Sequence, residues 1–504
     1  ARGDYDFHND AADLSNDTLR QSVLDGVGFH HAGLSKSDKD RVEAWFKAGK
    51  IQLLFSTSTL AWGVNLPARC VVIRDTKLHD PLEGEVDMSP LDILQMLGRA
   101  GRPDYDDVGY GWVVCDAGEA DKYRRLLRDG KPIESRLAED LDAHLNAEIA
   151  MGTIRDLDDV MSWLETTFYY VRAQSAPAEY EFGSLRDRVR SVLDDLVDRG
   201  FVETGEDLSI EATALGRLAS KYYLRLDTAA GFRDLATRDS IDEDAILRAV
   251  ATAAEFDSVS ARQSERDGIT AVLGNRGDDL EPSARKVLAI LRGGMSGTTP
   301  PDLQSDAWVI RQNALRLLAA CRAFLERFAD AHAANLARRI EARVENGVPA
   351  GAVGLTAIDG VGSGRASKLD AEGVSTPDDV RDADVEGLMA AGLSEGVSER
   401  VLESARNLPA VGIEWGAFPD SIPHGENDMR EVRIRNGGDA ASVGIRVTVN
   451  GREMTTRETY LADEETVPVG VFGADVDELA VRVSVAFPDR PLLPVAEERS
   501  VRVE

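Results

Sequence analysis

The spacing of apolar residues changes twice along this chain, and that change limits its possible folds more than any other feature. Over about the first 130 residues, short apolar runs alternate with stretches of helical spacing, the pattern of an α/β domain. "IQLLFST" and "CVVIR" are expected to be buried parallel strands, and "GYGWVVCD" the next strand. "LSKSDKDRVEAWFKAGK" opens on Ser35 with Asp38 three residues on, a capping-box pattern, and carries Val42, Trp45 and Phe46 as one apolar stripe. "SPLDILQML" repeats that logic, with Ser89 as cap, Pro90 in the first turn and Asp92 three past the cap. From about Ser135 to Pro349 nearly everything has helical periodicity. The interruption "RGFVETGEDLSIEATALGRLAS" sets two short strand-like runs around a Gly-Glu-Asp turn, the helix–hairpin order of a winged helix. After about Leu408 the period drops to two, and Asn450-Gly451 is a strong hairpin signal. The last ~90 residues are expected to form an antiparallel sandwich of immunoglobulin size.

A chain of 504 residues is long enough for several domains. No apolar run approaches the ~18 residues that span a bilayer, and "ARGDYDFHND" is no signal peptide, so no membrane partner is expected. Cys70, Cys115 and Cys321 lie far apart in apolar or helical contexts and read as buried, reduced thiols of a cytoplasmic protein, with no metal site. The formal charge of −31 argues against a nucleic-acid partner at first sight. Only ten of the 58 basic residues are lysine, however, against 89 acidic residues. This Lys-poor, Arg-retaining, acidic balance is similar to that of proteins from salt-loving archaea, where surface charge serves solubility in concentrated salt. The acidity then describes the solvent rather than the ligand, and the motifs have to decide.

"QMLGRAGRP" holds out Arg99 and Arg102 with a glycine before each. On a helix, residues three apart point the same way, and such a pair can reach the γ-phosphate of a nucleotide held elsewhere. A helix end carrying surface ion pairs is the plainer reading of the same residues. About 25 residues upstream, "FHHAGLSKSDKDRVEAWFKAGKIQLLFSTSTLAWGVNLPARCVVI" runs helix, strand, then a hydroxyl-rich loop, a good setting for sugar-phosphate contacts.

In this order the blocks resemble motifs IVa, V and VI of superfamily 2 helicases of the Ski-like group, which includes archaeal fork-repair helicases and the spliceosomal unwinding helicase. The resemblance implies an incomplete second RecA-like domain over 1–134. It implies catalytic roles toward ATP for Gln95, Arg99 and Arg102, nucleotide contacts at Gly63, Asn65 and Gly98, and strand contacts at His31, Thr57 and Thr59. It places a duplex-splitting β-hairpin at "RDTKLHDPLEGEVDMS", a segment that is acidic and has little strand character of its own.

The likeness continues through linker helices and a winged helix at 135–220 and a helical bundle at 221–350 carrying a long ratchet helix. Within "DAWVIRQNALRLL", Trp308 fits base stacking and Arg311 or Arg316 phosphate holding. A core tryptophan with solvated arginines fits the same residues. "LTAIDGVGSGRASKLDAEGV", in a domain at 351–408, is similar to a helix–hairpin–helix. Leu355, Ile358, Ala366 and Leu369 would pack two short helices, and the bare amides around Gly360 and Gly362 can take a phosphate or serve a protein contact. Residues 409–504 complete a fold class of α/β, then mostly α, then an immunoglobulin-like β-sandwich.

No GxxxxGK[ST] phosphate loop occurs, and "SIDEDAILRAV" reads as a helix start, not as an acidic metal-binding strand end. ATP and Mg²⁺ would therefore be held mainly by an N-terminal RecA-like domain of the same protein, and no ATP turnover is expected of this chain alone. The resemblance implies a helicase moving 3′ to 5′ on single-stranded or forked DNA in repair. RNA remodelling by the same motor class, or a non-catalytic scaffold, are the alternatives.

Overall fold

A computed structural model describes residues 5–7, 10–31, 34–57, 66, 68–80, 84–102, 106–130, 133–206, 209–473 and 476–504. They fall into two compact units, Ala1–Ile133 and Glu134–Glu504.

The first unit contains, in order, α1 (Asp17–Leu24), β1 (Val27–His30), α2 (Lys36–Lys47), β2 (Leu53–Ser56), β3 (Cys70–Ile73), β4 (Lys77–Asp80), β5 (Gly84–Asp87), α3 (Pro90–Leu97), β6 (Tyr110–Val113) and α4 (Ala120–Asp129). Strand β1 pairs in parallel with β2, and β3 with β6. Both serine caps form: Ser35 Oγ accepts from the Asp38 amide and Ser89 Oγ from that of Asp92, each at 3.1 Å. Asp38 does not complete a box. Its carboxylate is buried and takes Ser15 Oγ at 2.6 Å and the amides of Ser15 and Asn16, tying α2 to the start of α1. Burial alone would raise its pKa, but these hydrogen bonds outweigh it and hold the carboxyl below its ordinary range.

The strands are parallel as expected, but they are not buried on both faces. Two small cores form, one around Leu19, Val42, Trp45 and Ile51, the other around Ile73, Ile93, Tyr123 and Leu126. Four-residue strands in separate pairs cannot be sandwiched, so Phe55, Val72 and Trp112 remain 54%, 58% and 61% exposed. Cys70, at the start of β3, is likewise exposed, against the expectation of a buried thiol, whereas Cys321 is fully buried and its thiol is pushed up to about 12 by burial. Strands β4 and β5 form an antiparallel hairpin in the acidic segment that showed little strand character. Cross-strand pairing of Leu78 with Val86 and the Lys122–Asp87 ion pair at 2.7 Å supply what propensity lacks.

The second unit opens with α5 (Leu141–Met151), α6 (Leu157–Glu165), α7 (Phe168–Ser175), α8 (Leu185–Asp198), the antiparallel strands β7 (Val202–Thr204) and β8 (Ile210–Ala212), and α9 (Ala214–Lys221). A bundle follows: α10 (Leu226–Ala236), α11 (Glu243–Ala251), α12 (Arg266–Leu273), α13 (Pro282–Met295), α14 (Gln304–Phe328) and α15 (Ala331–Asn346). Helices α14 and α15 are separate, because Ala329 leaves helical geometry and Asp330 recaps the chain, its Oδ1 accepting from His332 N at 2.7 Å and Ala333 N at 3.0 Å. Helix α13 is buried nearly all round, including Lys286. Its Nζ meets Asp306 Oδ2 at 2.6 Å, Glu265 Oε1 at 2.9 Å and the Ser260 carbonyl at 2.8 Å, which satisfies all three ammonium protons.

A 3₁₀ turn at Ala350–Ala357 then leads to α16 (Ser363–Ala371), α17 (Pro377–Asp382), α18 (Val385–Ala390) and α19 (Glu395–Asn407). The chain ends in β9 (Val411–Glu414), β10 (Ser421–Ile422), β11 (Asn427–Asn436), β12 (Ala441–Val449), β13 (Arg452–Leu461), β14 (Glu464–Phe472), β15 (Glu478–Ala486) and β16 (Val495–Val503). These make two sheets, ordered β10-β16-β15-β12-β13 and β14-β11-β9. Asn450 and Gly451 turn β12 into β13 with φ of +48° and +77°, the geometry of a type I′ hairpin. One continuous core runs from Ala342 through Leu355 and Leu402 to the inward faces of both sheets.

Candidate nucleotide and nucleic-acid sites

Helix α3 presents Gln95 half-buried and ends at Leu97, with Gly98 as its exposed cap. Arg99 and Arg102 are therefore not on a helix, and the argument from helical spacing does not hold. The Arg99 amide donates to Met96 O and that of Ala100 to Leu97 O, and the chain then turns into an extended contact with Ala68. Ala68 N donates to Arg99 O at 2.9 Å, and Gly101 N donates to Ala68 O at 2.7 Å. Gly101 sits at φ +95°, which a side chain would resist. Gly109 lies against this turn so closely that a Cβ there would come within 2.5 Å of the Ala100 carbonyl.

Asp106 fixes Arg102. Its Oδ2 accepts from Arg102 Nε at 2.7 Å and from the Arg102 amide at 3.1 Å, and its Oδ1 from Nη2 at 2.9 Å. The Arg102 guanidinium holds the Asp106 carboxyl well below the usual range, at about 2. This is a fork-to-fork pair that orients one arginine while leaving it 46% exposed. Asp106 and Gly109 escape a reading of the motif alone; the signal was an aspartate four residues beyond Arg102 and a glycine beginning the next strand.

His31 stacks on Phe29, with ring centroids 5.7 Å apart and planes 10° from parallel. Its neighbour His30 is buried and pairs with Glu43 at 3.2 Å. Thr57 is exposed just past β2, its amide donating to His30 O at 3.2 Å. Thr59, Gly63 and Asn65 lie outside the described residues. Among the described residues no group of three or more His, Cys, Asp or Glu could hold a metal ion.

In the second unit Trp308 is 66% exposed on α14, which removes the reading of an ordinary core tryptophan. Arg311 is half-buried on the same helix, and its Nε is covered without a hydrogen-bond partner. Arg316 is not a solvated phosphate holder: its Nη1 donates to the Tyr222 carbonyl at 2.8 Å and the Tyr223 carbonyl at 3.1 Å, satisfying the end of α9. Leu355, Ile358, Ala366 and Leu369 are all buried and hold the 3₁₀ turn against α16. Between them Gly360 has φ +80° and its carbonyl accepts from Arg365 Nη1, while Gly362 begins α16 with no side-chain cap. The Arg365 and Ala366 amides donate to the Gly362 carbonyl at 3.1 and 2.9 Å.

Three domain families match successive parts of the sequence. The helicase conserved C-terminal domain matches residues 7–104, a winged helix-turn-helix domain residues 134–212, and the Sec63 Brl domain residues 212–482. The last match takes in more than half of the sequence, and the chain belongs to the Sec63 Brl domain family.

Activating signal cointegrator 1 complex subunit 3 of Rattus norvegicus is 33% identical over 329 residues, 60% of this chain and 15% of that protein. Its namesake in Dictyostelium discoideum is 38% identical over 271 residues, 52% of this chain and 12% of that protein. The DExH-box ATP-dependent RNA helicase DExH14 of Arabidopsis thaliana is 38% identical over 264 residues, 50% of this chain and 12% of that protein. The chain thus spans about 15% or less of the length of these relatives. Among the described residues no helix is long and apolar enough to cross a membrane.

Proposed function

We propose that this chain is the second motor half and accessory region of an ATP-dependent helicase that moves along single-stranded nucleic acid in the 3′ to 5′ direction. The observation that carries the proposal is the Arg102–Asp106 clamp beside Arg99, in a unit matched by the helicase C-terminal domain. A guanidinium already oriented loses little freedom on meeting a phosphate, and an arginine of this kind contributes about 10³–10⁵ in rate to phosphoryl transfer. Arg99, Arg102 and Gln95 would face the γ-phosphate of ATP, with Gly63, Asn65 and Gly98 beside the nucleotide. Mg²⁺ would be held by the phosphates and by the partner RecA-like domain. His31, Thr57, Thr59, Trp308, Arg311, Gly360 and Gly362 would contact the strand, through stacking, hydroxyls and bare amides.

Within this reading residues 1–134 are the second RecA-like domain, 135–220 linker helices and winged helix, and 221–350 the ratchet bundle. Residues 351–408 are a helix–hairpin–helix, and 409–504 an immunoglobulin-like sandwich. RNA is the better-supported substrate, because the names of the Arabidopsis relatives call them RNA helicases; a role in DNA repair has no such support. The test is fluorescence anisotropy of this chain with a 3′-tailed RNA duplex and its DNA counterpart. Tighter binding of RNA supports the proposal; a clear preference for DNA would transfer it to DNA processing, and binding of neither would refute it. Pure chain is expected to turn over no ATP, since its sequence contains no phosphate loop. Steady hydrolysis that Arg102→Ala abolishes would refute that.

A further inference from the structure

Helix α9 ends in a left-handed cap that has the wrong residue for its backbone. The Tyr223 amide donates to Ser220 O at 3.1 Å and the Leu224 amide to Ala219 O at 3.0 Å, the two crossed bonds of a Schellman motif. The residue between them must adopt positive φ, a place glycine normally takes. Here it is Tyr223, at φ +53°. A bulky residue tolerates that conformation when packing repays it, yet this ring is 87% exposed, the most exposed large apolar or aromatic side chain among the described residues. Leu224, the next residue, is the one that packs, at 4% exposure. The ring therefore does nothing for the fold of this chain.

The cap is also held at its outer side. Arg316 on α14 binds the carbonyls of both Tyr222 and Tyr223, so the tyrosine is fixed to the same helix that displays Trp308. Eight residues separate Trp308 from Arg316, about 12 Å along the helix axis. Charge singles out the same surface. In a chain with 89 acidic residues, residues 212–226 and 307–325 contain no aspartate or glutamate. The first run carries Arg217, Lys221 and Arg225, and the second Arg311, Arg316 and Arg322. Arg322 is paired to Asp489 and Glu341 and Arg316 to the tyrosine carbonyls, while Arg217, Lys221 and Arg225 are exposed. Two acid-free runs, each showing one exposed ring, suit a polyanion with aromatic bases.

We infer that Tyr223 is a base-stacking contact for a single strand of nucleic acid, the second ring of a platform whose first ring is Trp308. Arg316 is the positioning residue that sets the tyrosine cap against the helix. The inference rests on the nucleic-acid reading above and adds to it a residue.

The test uses the whole 504-residue chain with labelled oligouridylate and oligothymidylate, measuring affinity by anisotropy and melting temperature in parallel. Tyr223→Gly suits the left-handed cap and removes only the ring. It should leave the melting temperature unchanged or raise it, and weaken binding about 5- to 150-fold, the range for one stacked base. Tyr223→Phe should bind like the unaltered chain. If the unaltered chain binds and Tyr223→Gly stays within about twofold of it, the inference falls alone. If Tyr223→Gly lowers the melting temperature, the ring is structural and the inference also falls. If the unaltered chain binds neither oligonucleotide, the nucleic-acid reading fails and takes the inference with it.

Discussion

Changing His332 to glutamine should remove a defined part of the acid sensitivity of the second unit. His332 begins α15 and faces the sandwich, its Nε2 2.9 Å from Ser484 Oγ on β15 and its Nδ1 buried without a partner. Burial is the main force against its protonation, and the Arg446 guanidinium adds to it; Asp330 and Glu453, both paired to Arg446, pull weakly the other way. The imidazole is pushed down from about 6.5 to about 4. In the unfolded chain it takes up a proton as the pH drops below about 6.5, whereas in the fold it stays neutral until about 4. Stability is therefore unaffected above that range, declines as the pH falls from about 6.5 to 4, and levels off below. The full shift corresponds to about 3 kcal/mol, of which about 2 kcal/mol is lost between pH 7 and pH 5. For a unit of about 370 residues that is a shift in melting temperature of about 2–3 °C. Glutamine can still bond Ser484 and does not titrate. Denaturant or thermal unfolding of both proteins across this range should show the His332→Gln variant losing about 2 kcal/mol less. Carboxylate effects occur in both and cancel in the difference. Parallel curves would refute the assigned cause.

Two further outcomes follow from buried or clamped charge. Lys286→Met takes the buried ammonium from Glu265 and Asp306, which keep Arg262 at 3.7 and 3.3 Å, and should cost about 3 kcal/mol in urea unfolding. The Asp106 carboxyl, followed by NMR in acid, should titrate near 2, so that the clamp on Arg102 is complete above about 4 and is lost as the pH falls through 2. A midpoint near 4 would mean that the clamp does not form.

What the sequence made legible is local chemistry. Ser35, Ser89 and Asn450-Gly451 act within three or four residues of themselves, so their spacing alone specifies a cap or a turn. The Arg99–Arg102 pair could be seen, but its geometry could not. A turn against Ala68, thirty residues earlier, replaces the expected helix, and no local pattern encodes that partner. Trp308 fits an apolar helical stripe as well as an exposed one, and only the packing of α14 against its neighbours decides which. Tyr223 was invisible for a related reason: sequence does not display the sign of φ.

The sandwich illustrates a different lesson. Its texture begins near residue 409, yet Asn335 on α15 is wholly buried and donates from Nδ2 to the carbonyls of Phe487 (2.7 Å), Arg490 (3.1 Å) and Leu492 (3.1 Å). Gly444 on β12 meets Ala331 so closely that a Cβ would collide with it. A cut at 408, where the alphabet of the chain changes, would saw through a glued joint: it would take the Asn335 amide from three carbonyls and open an apolar face on each fragment. Anyone dividing this protein for expression, or asking a protease to do so, should look instead to the boundary between residues 133 and 134, where the chain passes from one compact unit to the next.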